Sequence, residues 1–337
     1  MSDTYVNVLQ VRGSSFDIGI KTGTEIKNQP IVKTFEAITK AEIDYENMKS
    51  IYSSFAPHLL EELDGLAKSL ELTSNKAAAL FSGYDVPRTE AMGCSALLTK
   101  DYYVRNYDFS PSLYDGLFSI IQPEKSLASA GYNLQILGRH DGVNEQGLVM
   151  GLHFVSNEGY AKGISPWIAI RMALDTCTTV DEAIVLLKEI PHSACYNFSI
   201  GDRQGNMAVV EASPDEIVIR REGFLTCVNH FQGDHLKNKN RDSIEGSLKR
   251  NHYLHKLNEN NMTHVEAFNE FKNLESPLFF TDYDNLFGTL HTFSYSYRDS
   301  KILTTIAQSS QTIELDFKEW VNGKDIKVQR LKGVIGT

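Results

Sequence analysis

The 337 residues predict an α+β fold: two largely antiparallel sheets packed face to face with helices on their outer faces, an αββα layering. Helix-period patterns fill most of the first 93 residues, whereas short alternating strands dominate from residue 94 onward. The order after residue 94 is strands, two helices, strands, helices, strands. Periodicity alone is compatible with other α+β layouts; the order of elements favours the sheet pair.

Tyr5-Val6-Asn7-Val8-Leu9-Gln10-Val11-Arg12 alternates and reads as a first strand, broken at Gly13-Ser14-Ser15, which supplies a helix N-cap. A Gly-interrupted helix follows over 16–27, a second over 31–52, and a third after Pro57 with Leu59, Leu63, Leu66 and Leu70 on one face. A fourth starts at Ser74. The strands expected next are 95–99, 102–107, 117–122, 132–137 and 148–154, the last after the turn Asn144-Glu145-Gln146-Gly147. Helices are expected at 167–176 and from a capping box at Thr179-Val180-Asp181-Glu182. Strands resume at 196–201, 207–212, 216–221 and 224–227. Residues 242–272 read as helical, with Leu248, Leu254 and Leu257 in the core, and strands at 289–297, 302–308 and 312–317 end the pattern. No Pro/Gly/Ser-rich linker separates residues 1–93 from 94–337.

A hydrophobic content of 42% is ample for a core. The net charge of −10 and the lack of a basic run argue against nucleic acid or an anionic membrane as partner. The N-terminus lacks a basic, then apolar, leader, and no apolar run is long enough to span a bilayer. A cytoplasmic protein with four reduced cysteines (94, 177, 195 and 227) is therefore expected. Their spacing offers no metal pattern, and no cofactor motif is found. The sequons at Asn197 and Asn261 then say nothing about glycosylation.

The chemistry-bearing stretch is Gly93-Cys94-Ser95-Ala96-Leu97-Leu98, followed by Arg105-Asn106-Tyr107-Asp108. Two strands joined by a turn at Lys100-Asp101 would return Arg105 and Asp108 to the side of Cys94. A neighbouring cation lowers a thiol's pKa, and the thiolate is the attacking form. A glycine just before the cysteine leaves the peptide bond between them unhindered. Each residue also has an ordinary reading. Cys94 packs in a core; Arg105 and Asp108 form a surface ion pair; Asn197 is a turn or ladder residue; His153 and His230 are structural; Tyr107, Phe109, Phe154 and Trp167 are core aromatics.

Several stretches, in order, resemble the autoproteolytic N-terminal-nucleophile hydrolases, and more closely the isopenicillin-N acyltransferase-like family, related to choloylglycine hydrolases and penicillin V acylases. They are Gly13-Ser14-Ser15-Phe16-Asp17-Ile18-Gly19, Gly93-Cys94, Arg105-Asn106-Tyr107-Asp108, Asn144-Glu145-Gln146-Gly147-Leu148, Tyr196-Asn197-Phe198-Ser199 with Glu211, Val228-Asn229-His230-Phe231 and Thr289-Leu290-His291-Thr292-Phe293. The resemblance implies an N-terminal-nucleophile αββα sandwich made as a precursor. A helical prosegment, 1–93, precedes the catalytic core, 94–337.

It further implies that Cys94 attacks the Gly93 carbonyl and that the ester hydrolyses. The freed α-amine, of pKa about 8, then serves as general base. Cys94 takes the acyl group of a small linear amide as a thioester, resolved by water or by an amine. By motif match Asp108 holds the α-amine, Arg105 favours the sulfur anion, Asn197 donates to the oxyanion, and Arg250 lies near the site. His153 stands where relatives place a second oxyanion group, and Phe154 and Tyr107 are candidate substrate contacts. The expected partner is a small N-acyl compound, besides association of the two cleaved fragments; a homo-oligomer is left open. Two rival readings remain: an uncut thiol hydrolase using Cys94 with a histidine base, and a binding protein with an inert Cys94.

Overall fold

The computed structural model describes residues 2–88, 93–221, 225–258, 260–284 and 287–336. The N-terminal part contains β1 (Ser2–Gly13), α1 (Ser15–Ile26), α2 (Pro30–Ile38), α3 (Tyr45–Phe55), α4 (His58–Leu70) and α5 (Ser74–Phe81). Then come β2 (Gly93–Leu98), β3 (Tyr102–Phe109), β4 (Leu117–Pro123), β5 (Ser129–Leu134), β6 (Gly138–Asn144), β7 (Val149–Ser156), α6 (Pro166–Thr176) and α7 (Val180–Glu189). The chain continues with β8 (Cys195–Gly201), β9 (Met207–Ala212), β10 (Ile217–Arg220), β11 (Thr226–Cys227), α8 (Glu245–Asn258) and α9 (His264–Phe271). It ends with β12 (Thr281–Asp282), β13 (Phe287–Ser296), β14 (Lys301–Ile306), β15 (Ile313–Asp316), α10 (Phe317–Val321) and β16 (Arg330–Ile335).

Among the described residues one sheet runs β10-β9-β8-β7-β6-β5-β4-β1-β16, and the other runs β11-β2-β3-β13-β14-β15, with β12 on β13. The strands from β4 to β10 form an antiparallel meander, and β1 lies parallel to β4. Helices α6 and α7 cover the first sheet and α8 and α9 the second, while β2 packs against β7 and β8 across the interior. The layering is therefore αββα. No helix among the described residues is long and apolar enough to cross a membrane.

Three expectations need correction. The single helix over 31–52 is two helices. Thr39 leaves α2 in an extended conformation with its Oγ1 on the Phe35 carbonyl, and Asp44 caps a new start by accepting from the Asn47 N–H. Side chains that satisfy the backbone locally compete with a continuous helix. The strand expected at 132–137 ends at Leu134, and a turn leads into β6. Leu248, expected in the core, is half exposed at 48%. The expected strand at 224–227 is described only over Thr226–Cys227, Phe224 lying outside the described residues.

The N-terminal segment is woven into the core. β1 lies between β4 and β16. α1 and α4 cross so closely that a Cβ on Gly19 would stand 2.1 Å from the Glu62 carbonyl oxygen, and one on Gly65 2.2 Å from that of Phe16. Glycine is what the crossing allows there. From α4, Glu62 pairs with Arg171 of α6 at 2.6 Å, and His58 bonds Asp175 at 2.9 Å, while Arg171 Nε donates to Asp175 at 2.8 Å. All four are buried. Burial opposes ionisation of Asp175, yet Arg171 and His58 hold its carboxyl below the usual range. Removing one partner of such a buried pair strands the other charge. Glu62→Ala is expected to lower stability by about 3–5 kcal/mol, read as a reduced midpoint in urea unfolding.

Candidate active site

The β2–β3 hairpin places the chemistry. Thr99 Oγ1 closes its turn by accepting the Asp101 and Tyr102 N–H groups at 3.2 and 3.0 Å. The register sets Gly93 opposite Asp108, Cys94 opposite Tyr107 and Ala96 opposite Arg105. Alternation then divides the residues between two faces. Cys94, Arg105 and Tyr107 point between the sheets, where Cys94 and Tyr107 share a cluster with Leu152, Phe154 and Tyr196. Asp108 and Asn106 lie on the side of α8 and α9, where Asn106 Nδ2 donates to the Phe271 and Leu278 carbonyls.

Every polar atom of Cys94 has a side-chain partner. Arg105 Nη2 donates to Sγ at 3.1 Å. The backbone N–H donates to Asn229 Oδ1 at 2.7 Å, and the carbonyl accepts from Arg250 Nη1. Arg250 also donates to Ser95 Oγ at 3.0 Å and to Asn229 Oδ1 at 2.9 Å. Behind Arg105 stands Asp141, which accepts from Arg105 Nη1 at 2.5 Å and from His291 Nε2 at 2.8 Å. The His291 Nδ1 accepts from the Tyr114 hydroxyl at 2.8 Å. Among the described residues no histidine hydrogen-bonds the sulfur; His153 Nε2 meets Ser199 Oγ at 2.9 Å and His230 Nδ1 meets Ser247 Oγ at 2.8 Å.

Asp108 accepts from Thr289 Oγ1 at 2.7 Å through Oδ1, while Oδ2 is buried without a partner. A Cβ on Gly93 would lie 2.9 Å from that oxygen. An unpaired carboxylate oxygen thus sits against the residue that precedes Cys94. The arginine and aspartate of the sequence motif are both buried, but they are not an ion pair with each other; each serves a different face of β3.

Asn197 and Asn229 differ in what they have left to give. An amide side chain carries two N–H donors. Both of Asn197's go to carbonyls of the next loop, Val228 at 2.9 Å and His230 at 3.0 Å. Asn229 spends one on the Phe154 carbonyl at 2.9 Å, and its amide faces the Cys94 thiol. The role expected of Asn197, donation to a reaction oxyanion, is therefore out of its reach in this arrangement. Asn197 holds the loop that carries Asn229. The stretch Val228-Asn229-His230-Phe231 was visible as a signal, but nothing in the residue order said which amide turns toward the thiol. Asp141 carried no signal in the sequence, and His291 none beyond its stretch.

His153 faces Asn197 across the β7–β8 ladder, and burial beside Arg105 and Arg250 holds it well below the ordinary histidine range. Phe154 meets the Tyr196 ring edge-on at 5.3 Å. Tyr107 packs on the His140 ring at 3.9 Å with its hydroxyl unpartnered. Burial pushes the Cys94 thiol up; Arg105 pulls it back, Asp108 adds to the rise, and Arg250 opposes it. Arg105 lies beside the sulfur, but burial outweighs its pull on the thiol. Burial likewise raises Asp108 against the pull of Arg250 and Thr289. Among the described residues no group of three His, Cys, Asp or Glu side chains is placed to hold a metal ion.

A sequence model of the acyl-coenzyme A:6-aminopenicillanic acid acyl-transferase family matches residues 97–311. The chain belongs to this family. The matched residues begin just past Cys94 and include Arg105, Asp108, Asn229 and Arg250. Similar solved structures include a conjugated bile acid hydrolase from Clostridium perfringens, 16% identical, covering 68% of this chain and 93% of its own, at a TM-score of 0.46. A penicillin V acylase from Agrobacterium tumefaciens is 14% identical, covering 68% and 88%, at 0.43. The Caenorhabditis elegans ortholog of N-acylethanolamine-hydrolyzing acid amidase is 11% identical, covering 64% and 99%, at 0.43. No curated protein matched the chain.

All four cysteines are buried and free. With the 93–94 bond intact, the native chain is expected to give no fast reaction with a thiol-specific disulfide reagent at pH 8, and four thiols after denaturation. A fast native thiol at Cys94 would contradict the burial described.

Proposed function

We propose that the chain cuts itself between Gly93 and Cys94 and that the freed Cys94 is the nucleophile of an enzyme acting on a small linear N-acyl compound. The observation that carries this is the three-point grip on Cys94, by Arg105 at sulfur, Asn229 at nitrogen and Arg250 at oxygen, with the open oxygen of Asp108 against Gly93.

Sγ attacks the Gly93 carbonyl carbon, the thiol proton passes to the Cys94 nitrogen, and the peptide C–N bond breaks. Water then hydrolyses the thioester, leaving a carboxylate on Gly93 and a free thiol and α-amine on Cys94. The new ammonium lies between Asn229 Oδ1 and Asp108 Oδ2, which hold it; its neutral form accepts the thiol proton during turnover. The substrate carbonyl is attacked in turn, and the departing amine takes that proton. The Asn229 amide, which faces the thiol, supplies an oxyanion donor. Water completes a hydrolase cycle, and an acceptor amine an acyl transfer. The fragments 1–93 and 94–337 stay together because β1 is held between β4 and β16 and Glu62 is held by Arg171.

Mass measurement under denaturing conditions tests this. Two species beginning at Met1 and Cys94 are expected, eluting together from a native sizing column. Cys94→Ala should remain one chain, and splitting of that variant at Gly93 would rule out the nucleophile. Asn229→Ala is expected to reduce turnover of the processed enzyme by ~10²–10³, the usual loss for one oxyanion donor; wild-type turnover would remove Asn229 from that role.

A further inference from the structure

Close to the nucleophile, one guanidinium lacks a counter-charge. Arg241 lies between the turn at Lys237–Lys239 and α8, with its guanidinium 5.4 Å above the centre of the Phe154 ring. Its Nε is buried without a hydrogen-bond partner, and no carboxylate among the described residues forms an ion pair with it. The other two arginines of the site are compensated. Arg105 has Asp141 at 2.5 Å, and Arg250 has Asp108 as its opposing charge. For Arg241, burial and the like charge of Arg250 both work against the cation, and Cys94 is the group that works for it. A partly buried cation beside a second cation is unfavourable unless something brings a negative charge.

Arg241 also forms part of a wall. It lines an open cavity of about 610 Å³ with His230, Phe231, Ile244 and Leu248, a volume in the range that holds small ligands. Lys237 lines it too but is paired with Asp234 at 2.6 Å. Asp242, on the same wall, is exposed and makes no ion pair with Arg241. Two links join the wall of the cavity to Asn229, which holds the Cys94 N–H. His230 follows Asn229 in the chain, and the Phe154 carbonyl, on the residue beneath Arg241, is the one that Asn229 Nδ2 bonds. The half-exposed Leu248 takes its place here, as an apolar edge of the cavity.

We infer that Arg241 is a specificity subsite and that the compound acylating Cys94 carries a carboxylate, which seats on this guanidinium above Phe154. The inference rests on the reading of Cys94 given above and narrows its substrate class to anionic N-acyl compounds. Arg, with a planar fork of donors, suits a carboxylate better than a point charge would. The carboxylate can belong to the acyl half or to the amine half, and the test separates these.

The processed wild-type enzyme is assayed on two matched pairs. Glutaryl and valeryl 4-nitroanilides differ by a carboxylate on the acyl half. Phenylacetyl amides of 5-amino-2-nitrobenzoate and of 4-nitroaniline differ by one on the amine half. A preference of tenfold or more in kcat/KM for the anionic member is expected in one pair. Arg241→Gln should raise KM for that member at least tenfold and erase the preference, and Arg241→Lys should restore part of it. No preference in either pair, or a preference that survives Arg241→Gln, overturns the inference while leaving the Cys94 reading intact. If neither the anionic nor the neutral members leave an acyl group on Cys94 or release product, the Cys94 reading fails and this inference falls with it.

Discussion

The pairing of β2 with β3 is the constraint on which the rest of the site depends. Because side chains alternate along a strand, the register that puts Gly93 opposite Asp108 also sends the thiol and Arg105 inward and the carboxylate outward. A slip of one residue would exchange the two faces. The sulfur would then meet the helices, and Arg105 would lose Asp141. Both strands are buried throughout, so such a slip is opposed by packing on either side. The position of the Gly93–Cys94 bond is in this sense a consequence of sheet geometry, with Thr99 holding the turn that sets it.

Around that hairpin the molecule buries an unusual amount of charge, and the way it does so divides stability from chemistry. Arg171, Glu62, Asp175 and His58 pair with one another and fasten the N-terminal helices to α6. Arg105 and Asp141 are likewise paired, and His291 bonds the same carboxylate oxygen. Near Cys94 the satisfaction is incomplete. Asp108 Oδ2 and Arg241 Nε have no partner. Buried polar groups in folded proteins are nearly always paired, so an unpaired charged group beside a candidate nucleophile is a place for something else to bind or form. In the reading proposed above, Asp108 receives the amine released by cutting at Gly93, and Arg241 a charge brought by the substrate.

Much of the architecture could be read from residue order. Alternation identified β1, the hairpin strands and most of the first sheet, and Ser14 and Thr179 marked helix starts whose caps accept from the Asp17 and Glu182 N–H groups. Where the reading failed, a local side chain or a distant surface decided. Asp44 restarts a helix that periodicity would have continued. Leu248 has the spacing of a core residue on α8 but faces a cavity. β16 escaped notice because Arg330 and Lys332 interrupt its apolar pattern, as suits an edge strand with one side toward solvent.

The candidate site shows the same division in sharper form. Local pattern was enough to single out Gly93, Cys94, Arg105 and Asp108, because they lie on two adjacent strands whose turn and alternation are written in consecutive residues. The grip of Asn229 on the Cys94 N–H, the partnership of Asp141 with Arg105, the reach of Arg250 from α8 and the unpaired Nε of Arg241 all needed the folded chain. Each depends on which donors remain unspent once residues far apart in sequence have met, and hydrogen-bond bookkeeping of that kind has no period that a linear pattern can reveal.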